Sequence, residues 1–183
     1  NVNPVSLYDE VNVDGAKNIC LAAEHTNIKR IIFTSSVAVY GFAPLDTDEN
    51  GLFAPFNHYG RTKMLAEGVY REWLGADTRR SLTIIRPTVV FGERNRGSVY
   101  NLLRQIVSGK FIMVGNGQNE KSMAYVENVA AFLEYSLTFS TGEWLFNYID
   151  KPDFSMNDLV ILVKKRLGRT PSIGPRLPRS LGL

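Results

Sequence analysis

Cysteine is nearly absent from this sequence, with Cys20 the one thiol among 183 residues. An internal disulfide is therefore excluded, and so is a metal centre built on several thiolates. Cys20 stands among Ile19, Leu21, Ala22 and Ala23, a setting that suits packing better than nucleophilic chemistry. Histidine is almost as scarce, and His25 and His58 are too few and too isolated to build a metal site, so no metal is expected. No stretch approaches the roughly 20 consecutive apolar residues of a membrane-spanning helix. No charged leader followed by an apolar core opens the chain, so no membrane partner is expected and the cytoplasm is the expected compartment. Charge of one sign is also lacking. The net charge is +3, and the longest basic run, Lys164-Lys165-Arg166, falls on the solvated face of an expected amphipathic helix. Nucleic-acid binding is not expected from such a pattern. What is present is a globular composition, 44% hydrophobic and 21% charged, long enough for one domain with a substantial core.

The apolar residues recur with two periods. Residues 4–24 read as a long helix whose broad apolar face includes Val11, Ile19, Leu21, Ala22 and Ala23. Ile31-Ile32-Phe33 is a short continuous apolar run of the kind that forms a strand buried on both sides of a parallel sheet. Residues 41–57, rich in Pro, Asp, Asn and Gly, read as a surface loop. A helix over 59–73 and a buried strand over 81–85 follow. Further along, 99–107 reads as helix, 111–114 as strand, 115–117 as a turn, 126–139 as helix and 144–148 as strand. The last helix spans 155–167, capped by Ser155 and stopped by Gly168. The tail, with Pro171, Pro175 and Pro178, carries no regular pattern. Helices alternating with short buried strands predict an α/β fold with a parallel sheet.

The strongest chemical signal is Tyr59-Gly60-Arg61-Thr62-Lys63. A tyrosine and a lysine four apart project from one helix face. An ammonium beside a phenol favours the phenolate, which can then act as a base near neutral pH. Such a pair alone arises by chance in many helices, so its context matters. Upstream, a buried strand ends in Thr34-Ser35-Ser36, and the carboxyl ends of parallel strands are where α/β folds hold ligands. A serine there can bind the oxygen that the tyrosine deprotonates, although a serine pair can also simply end a strand. A third element, Arg86-Pro87-Thr88-Val89-Val90-Phe91-Gly92, terminates the next strand, and Asn12-Val13-Asp14-Gly15 lies on the first helix.

Together with Gly115 through Gly117 and the block Lys121 through Val129, these pieces resemble, in order, the nucleotide-sugar epimerase/dehydratase branch of the extended short-chain dehydrogenase/reductase superfamily. The resemblance implies a fold comprising the C-terminal part of a Rossmann-like doubly wound parallel sheet plus a small mixed substrate-binding subdomain. Residues 1–92 would be the remainder of the Rossmann-like domain. Residues 93–183 would be mostly the substrate-binding subdomain, interleaved with returning Rossmann elements. It implies Ser36, Tyr59 and Lys63 as catalytic residues; Tyr59, Lys63, Ser35 and Pro87 as cofactor contacts; and Ser36, Asn101 and Lys121 as substrate contacts. Asn101 can equally be an ordinary helix residue. Asn12 is implied as a support of the active-site helix and of a proton relay. The implied cofactor is NAD or NADP, the substrate a nucleotide sugar, and the assembly a homodimer packed through the first helix and the Tyr59 helix.

Departures from the family pattern sharpen the expectation. Family dehydratases carry an acidic pair directly after the serine position, where this chain has Val37 and Ala38. Neither can move a proton, so dehydration is disfavoured. Epimerisation, at carbon 4 of the sugar, is the first expectation. Reduction of a keto-sugar or another carbonyl is an alternative, and a non-catalytic dimerising module is a third. The family's Arg-Asp-aromatic block reads Lys121-Ser122-Met123 here, which keeps a charge for a diphosphate but loses the bidentate fork of arginine. The glycine-rich dinucleotide loop of the family has no counterpart. The chain is therefore expected to lack the first four strands, to be inactive by itself, and to expose the edge of its first strand. A second copy, the 41–57 loop or the proline-rich tail is expected to cover that edge.

Overall fold

The first helix departs from regular α geometry near its start. In the computed structural model, which describes residues 4–178 and 180, Ser6–Tyr8 and Gly15–His25 are α-helical and the intervening Asp9–Asp14 is a π turn. The three segments run on as one helix, α1. Its inward stripe, Ala16, Cys20 and Ala23, meets a stripe of the same spacing, Ala66, Tyr70 and Trp73, on the helix His58–Gly75, α2. The small Ala16, Cys20 and Ala23 leave room for Tyr70 and Trp73 and, with Ala66, let the two helices pack closely. Cys20 is buried in this seam, and burial raises its thiol above the ordinary value, as suits a packing residue.

Between the two helices run β1, Arg30–Thr34, and a single 3-10 turn, Val37–Tyr40. After α2 come β2 (Ser81–Pro87), β3 (Val89–Phe91), the helix α3 (Ser98–Val107), β4 (Met113–Val114) and β5 (Glu120–Tyr125). The helix α4 (Val126–Ser136), β6 (Gly142–Tyr148), β7 (Asp150–Ser155), the helix α5 (Met156–Arg166) and β8 (Arg176–Leu177) complete the chain. The main sheet has the order β1-β2-β6 and is wholly parallel, in register from Arg30 opposite Ser81 and from Ser81 opposite Gly142. This is the α/β architecture that the sequence predicts. Every residue of the central β2 is buried, as a strand covered on both faces requires.

The chain divides into two units. The first holds residues up to Thr88 together with Asn128–Tyr148, and its core is the α1–α2 seam with Ile31, Leu82 and Ile84. The second holds Val89–Glu127 and the residues from Ile149 onward, with a smaller core of Ile106, Met113 and Val160. Its mixed sheet, β3-β5-β7, joins β3 and β5 in parallel and β5 and β7 antiparallel.

Three expectations need correction. The tail is not wholly irregular, because Arg176–Leu177 pairs with Met113–Val114 as a short parallel ladder. β3, β5 and β7 escape the periodicity reading because each is short or polar, and β7 contains Pro152. Among the described residues neither the 41–57 loop nor the tail pairs with β1, whose one strand partner is β2. The loop is instead tied to Val39, Arg86 and Asn147.

Candidate active site

β1 ends where its ladder makes one last bond, from Ser35 N to Ile85 O at 2.7 Å. The chain is still extended at Ser36 (φ −164°, ψ 149°), so successive side chains point to opposite sides. Ser35 turns inward, is 2% exposed and donates its hydroxyl to Glu67 Oε1 at 2.6 Å. Ser36 turns the other way, and its Oγ accepts the Ala38 N–H at 3.2 Å, capping the 3-10 turn. The Ser36 O–H remains a donor for an external oxygen.

α2 starts at Asn57, whose side chain accepts the Gly60 N–H at 2.8 Å. Its first turn abuts the turn after Ser36, since a Cβ on Gly60 would lie 2.3 Å from the Ala38 carbonyl oxygen. Only glycine permits this approach, which holds the backbone beside Tyr59 against the backbone beside Ser36. Gly41 serves the other side of the same turn. It sits at φ +65°, and a Cβ there would meet Ala54 O at 1.9 Å.

Tyr59 is 38% exposed and meets the ring of Tyr8 edge-on, with centroids 6.4 Å apart. Lys63 lies one turn along the same face. Its Nζ donates to Thr34 O at 3.0 Å, 4.9 Å from the Phe33 ring and 5.9 Å from the Tyr59 ring. Burial pulls the Lys63 ammonium below the ordinary lysine value. An ammonium carries three N–H donors, and with one on Thr34 O the others can reach a ribose hydroxyl. The Tyr59 and Lys63 side chains thus fit the nicotinamide-ribose end of a dinucleotide. Asn12, in the π turn, donates to Thr62 Oγ1 at 2.9 Å, and Thr62 donates in turn to Tyr59 O at 3.1 Å, so α1 steadies the first turn of α2. Pro87 is buried at the end of β2, opposite Tyr148.

Behind this face lies a group of charges that the sequence reading passed over. Glu67 is 0% and Arg86 1% exposed, and they pair through Arg86 Nε at 2.9 Å and Nη2 at 2.6 Å. Arg71 adds a 3.2 Å contact to Glu67. Arg86 Nη1 also donates to the Tyr40 hydroxyl and to Glu49 O, and Tyr40 donates to Asn147 Oδ1 at 2.8 Å. Burial pushes Glu67 upward, but hydrogen bonds from Arg86 and Ser35 and the charges of Arg86 and Arg71 outweigh it and hold the carboxyl below its ordinary value. A usable signal was available, since Glu67 continues the Tyr59–Lys63 spacing by one further turn.

Ser36, Tyr59, Lys63, Ser35, Asn12 and Pro87 all belong to the first unit, whereas Asn101, exposed on α3, and Lys121, half-buried on β5, belong to the second. Among the described residues no group of three His, Cys, Asp or Glu side chains is arranged to hold a metal ion.

The profile of the NAD dependent epimerase/dehydratase family matches residues 1–144. The chain is 55% identical, over its whole length, to the N-acetyl-alpha-D-glucosaminyl-diphospho-ditrans,octacis-undecaprenol 4-epimerase of Escherichia coli O157:H7, and spans 56% of that protein. It is 33% identical over 69% of its length to the UDP-glucose 4-epimerase of Vibrio cholerae, of which it spans 39%. Among solved structures, the UDP-glucuronic acid 4-epimerase of Bacillus cereus in complex with NAD superposes with a TM-score of 0.83 at 20% identity, covering 98% of this chain and 60% of that one. The UDP-N-acetylglucosamine 4-epimerase of Methanobrevibacter ruminantium gives 0.81 at 23%, covering 97% and 59%. At these identities the likeness establishes the shared fold.

Proposed function

This chain belongs to the NAD-dependent epimerase/dehydratase family, and from that premise we propose that it carries the acid–base centre of a 4-epimerase acting on a sugar held through a diphosphate. The observation that carries the reading is the Tyr59–Lys63 face set against the Ser36 turn by the Gly60 contact. Ser36 donates to the sugar hydroxyl oxygen and fixes it. Tyr59 takes the proton from that oxygen and later gives it back. Lys63 steadies the phenolate and holds the ribose of the cofactor, while Asn12 and Thr62 fix the helix turn from which Tyr59 projects. NAD, when bound, supplies the removal and return of hydride. Val37 and Ala38 follow Ser36 in the 3-10 turn, and neither can supply the acid–base pair that elimination of water requires. Asn101 and Lys121 are assigned to substrate contacts, Pro87 to the cofactor, and the second unit to substrate binding.

The substrate favoured is an N-acetylhexosamine joined through diphosphate to a polyprenol. The 55% identity to the Escherichia coli enzyme, over the whole of this chain and 56% of that protein, supports this. So does the segment joining Ser36 to Tyr59, where Phe42, Leu45, Leu52 and Phe56 are exposed and Phe42 stacks on Phe56 at 4.5 Å. Apolar side chains beside the site suit a prenyl chain better than a nucleoside. A nucleotide sugar is the second reading, favoured by the Vibrio cholerae relative. The homodimer is assigned to α1 and α2, whose outward faces expose Val11, Ile19 and Leu65.

The test is to offer the full-length protein N-acetylglucosaminyl-diphospho-undecaprenol and UDP-N-acetylglucosamine separately and to analyse the released sugar. We expect the 4-epimer from the lipid-linked donor, with no net change in the NAD pool and no 4-keto-6-deoxy product. Tyr59→Phe should lower turnover by about 100- to 10,000-fold. Net consumption of reduced cofactor would point to a reductase instead.

A further inference from the structure

We infer that the buried Glu67–Arg86 pair is a positioning element of the Ser36/Tyr59/Lys63 centre and acts on it through the inward hydroxyl of Ser35. The inference rests on the reading of that centre given above.

Three segments supply the proposed chemistry, and the pair is bonded to all three. The end of β1 is held at Ser35, whose Oγ donates to Glu67 Oε1. Because extended residues alternate sides, a Ser35 hydroxyl fixed inward fixes Ser36 outward. α2 is held at Glu67 itself, which follows Tyr59 and Lys63 at the spacing of one helix face, so the carboxylate anchors the stripe that the phenol and ammonium occupy. β2 is held at Arg86, the residue before Pro87. The guanidinium fork binds the carboxylate through two nitrogens, a geometry that fixes orientation as well as distance. Arg86 then reaches outward to Tyr40 and Glu49 O, so the segment between Ser36 and Tyr59 hangs on the same anchor.

Stability alone is a poor reason for such an arrangement. Moving two ions out of water is costly, and apolar side chains of similar volume commonly fill such a site equally well. What apolar residues do not supply is a directional grip on Ser35. Mispositioning of reacting groups by an ångström can lower a rate about a hundredfold.

Ser35→Ala is the decisive variant, because it leaves both ions paired and removes only their bond to the catalytic strand end. In the full-length protein with the lipid-linked donor we expect kcat to fall roughly tenfold to a hundredfold, with KM within about twofold and the melting temperature close to wild type. The double replacement Glu67→Leu with Arg86→Met should fold and yet keep a similarly low kcat per folded molecule. Wild-type kcat in Ser35→Ala, or recovery of kcat in the double variant, would overturn the inference. Tyr59→Phe, run alongside, separates the two levels. If it retains more than a tenth of the wild-type rate, the acid–base reading itself fails. If it is inactive while Ser35→Ala turns over normally, the positioning role alone fails.

Discussion

Two ion clusters in the first unit are built from the same groups and differ in nearly everything else. At one, Glu67 binds Arg86 at 2.6 Å with neither side chain reaching water. At the other, Asp77 binds Arg79 at 2.8 Å and Lys29 at 2.9 Å, with the Arg79 side chain 75% exposed and that of Asp77 17%. The bond lengths are alike, so length does not tell them apart. Burial does. An exposed pair exchanges one good environment for another, whereas a buried ion depends on the protein groups around it. The exposed cluster closes the turn between α2 and β2, with Asp77 also accepting the Arg79 N–H. The buried cluster joins the three segments that carry the proposed chemistry.

The contrast is most easily broken by removing one buried partner. Arg86→Met strips the buried Glu67 of its two-nitrogen partner and leaves it only the longer Arg71 contact and the Ser35 hydroxyl, and we expect a loss of about 3–5 kcal/mol in urea-unfolding free energy. Adding Glu67→Leu should restore most of it, since the stranded charge is then gone. A single Arg86→Met as stable as wild type would show that Arg71 and Ser35 alone suffice to hold the Glu67 carboxylate.

Acid sharpens the same contrast more gently. The Glu67 carboxyl is held below its ordinary value, so its contribution to stability is complete above the ordinary glutamate range and is lost as pH falls through the lower, folded-state value. Asp77 is also held low, chiefly by the Arg79 side chain, then the Arg79 backbone N–H and Lys29. Its contribution has the same sign, but it is screened by water and salt. Unfolding measured from pH 7 downward, at low and at high salt, should give an acid limb that Glu67→Gln changes at both salt concentrations. Asp77→Asn should change it only at low salt. An acid limb insensitive to Glu67→Gln would place the titrating group elsewhere.

The smallest effect belongs to Asp77→Asn at neutral pH and high salt, where the charge contribution is screened. The amide oxygen can still accept from Arg79, and we expect a melting temperature nearly unchanged from wild type. A large drop would make the turn, rather than the buried cluster, the more demanding of the two sites.

Sequence reading found what periodicity encodes. The helices carrying Asn12 and Tyr59 repeat their apolar residues at the helical period, the strands Arg30–Thr34 and Ser81–Pro87 carry short continuous apolar runs, and the structure has them there. The short strands did not declare themselves. Val89–Phe91, Glu120–Tyr125 and Asp150–Ser155 are strands because neighbours pair with them, and their own residues are largely polar or lie in motifs already given another meaning. The Glu67–Arg86 pair was hidden for a different reason. Arg86 lies inside the motif noticed for Pro87 and Glu67 one turn beyond the motif noticed for Tyr59, but a charged residue reads as surface until the fold shows its partner. Lys63 was legible because its spacing from Tyr59 is itself the signal. Thr62 was not, since its bond to Asn12 spans 50 positions and leaves no local trace.

The π turn at Asp9–Asp14 bears on how such chains are compared with one another. A π turn is an α-helix with one residue added. Removing that residue would leave a helix of ordinary geometry but rotate everything before it by about 100°. Tyr8 would leave the ring of Tyr59 and Asp9 would leave Arg61, which it now holds at 3.0 Å. The added residue thus acts as an indexing notch that sets two lengths of one helix to different faces. Two related sequences that differ by a single residue here would align with a gap, and that gap would mark where Asn12 gained or lost its hold on Thr62.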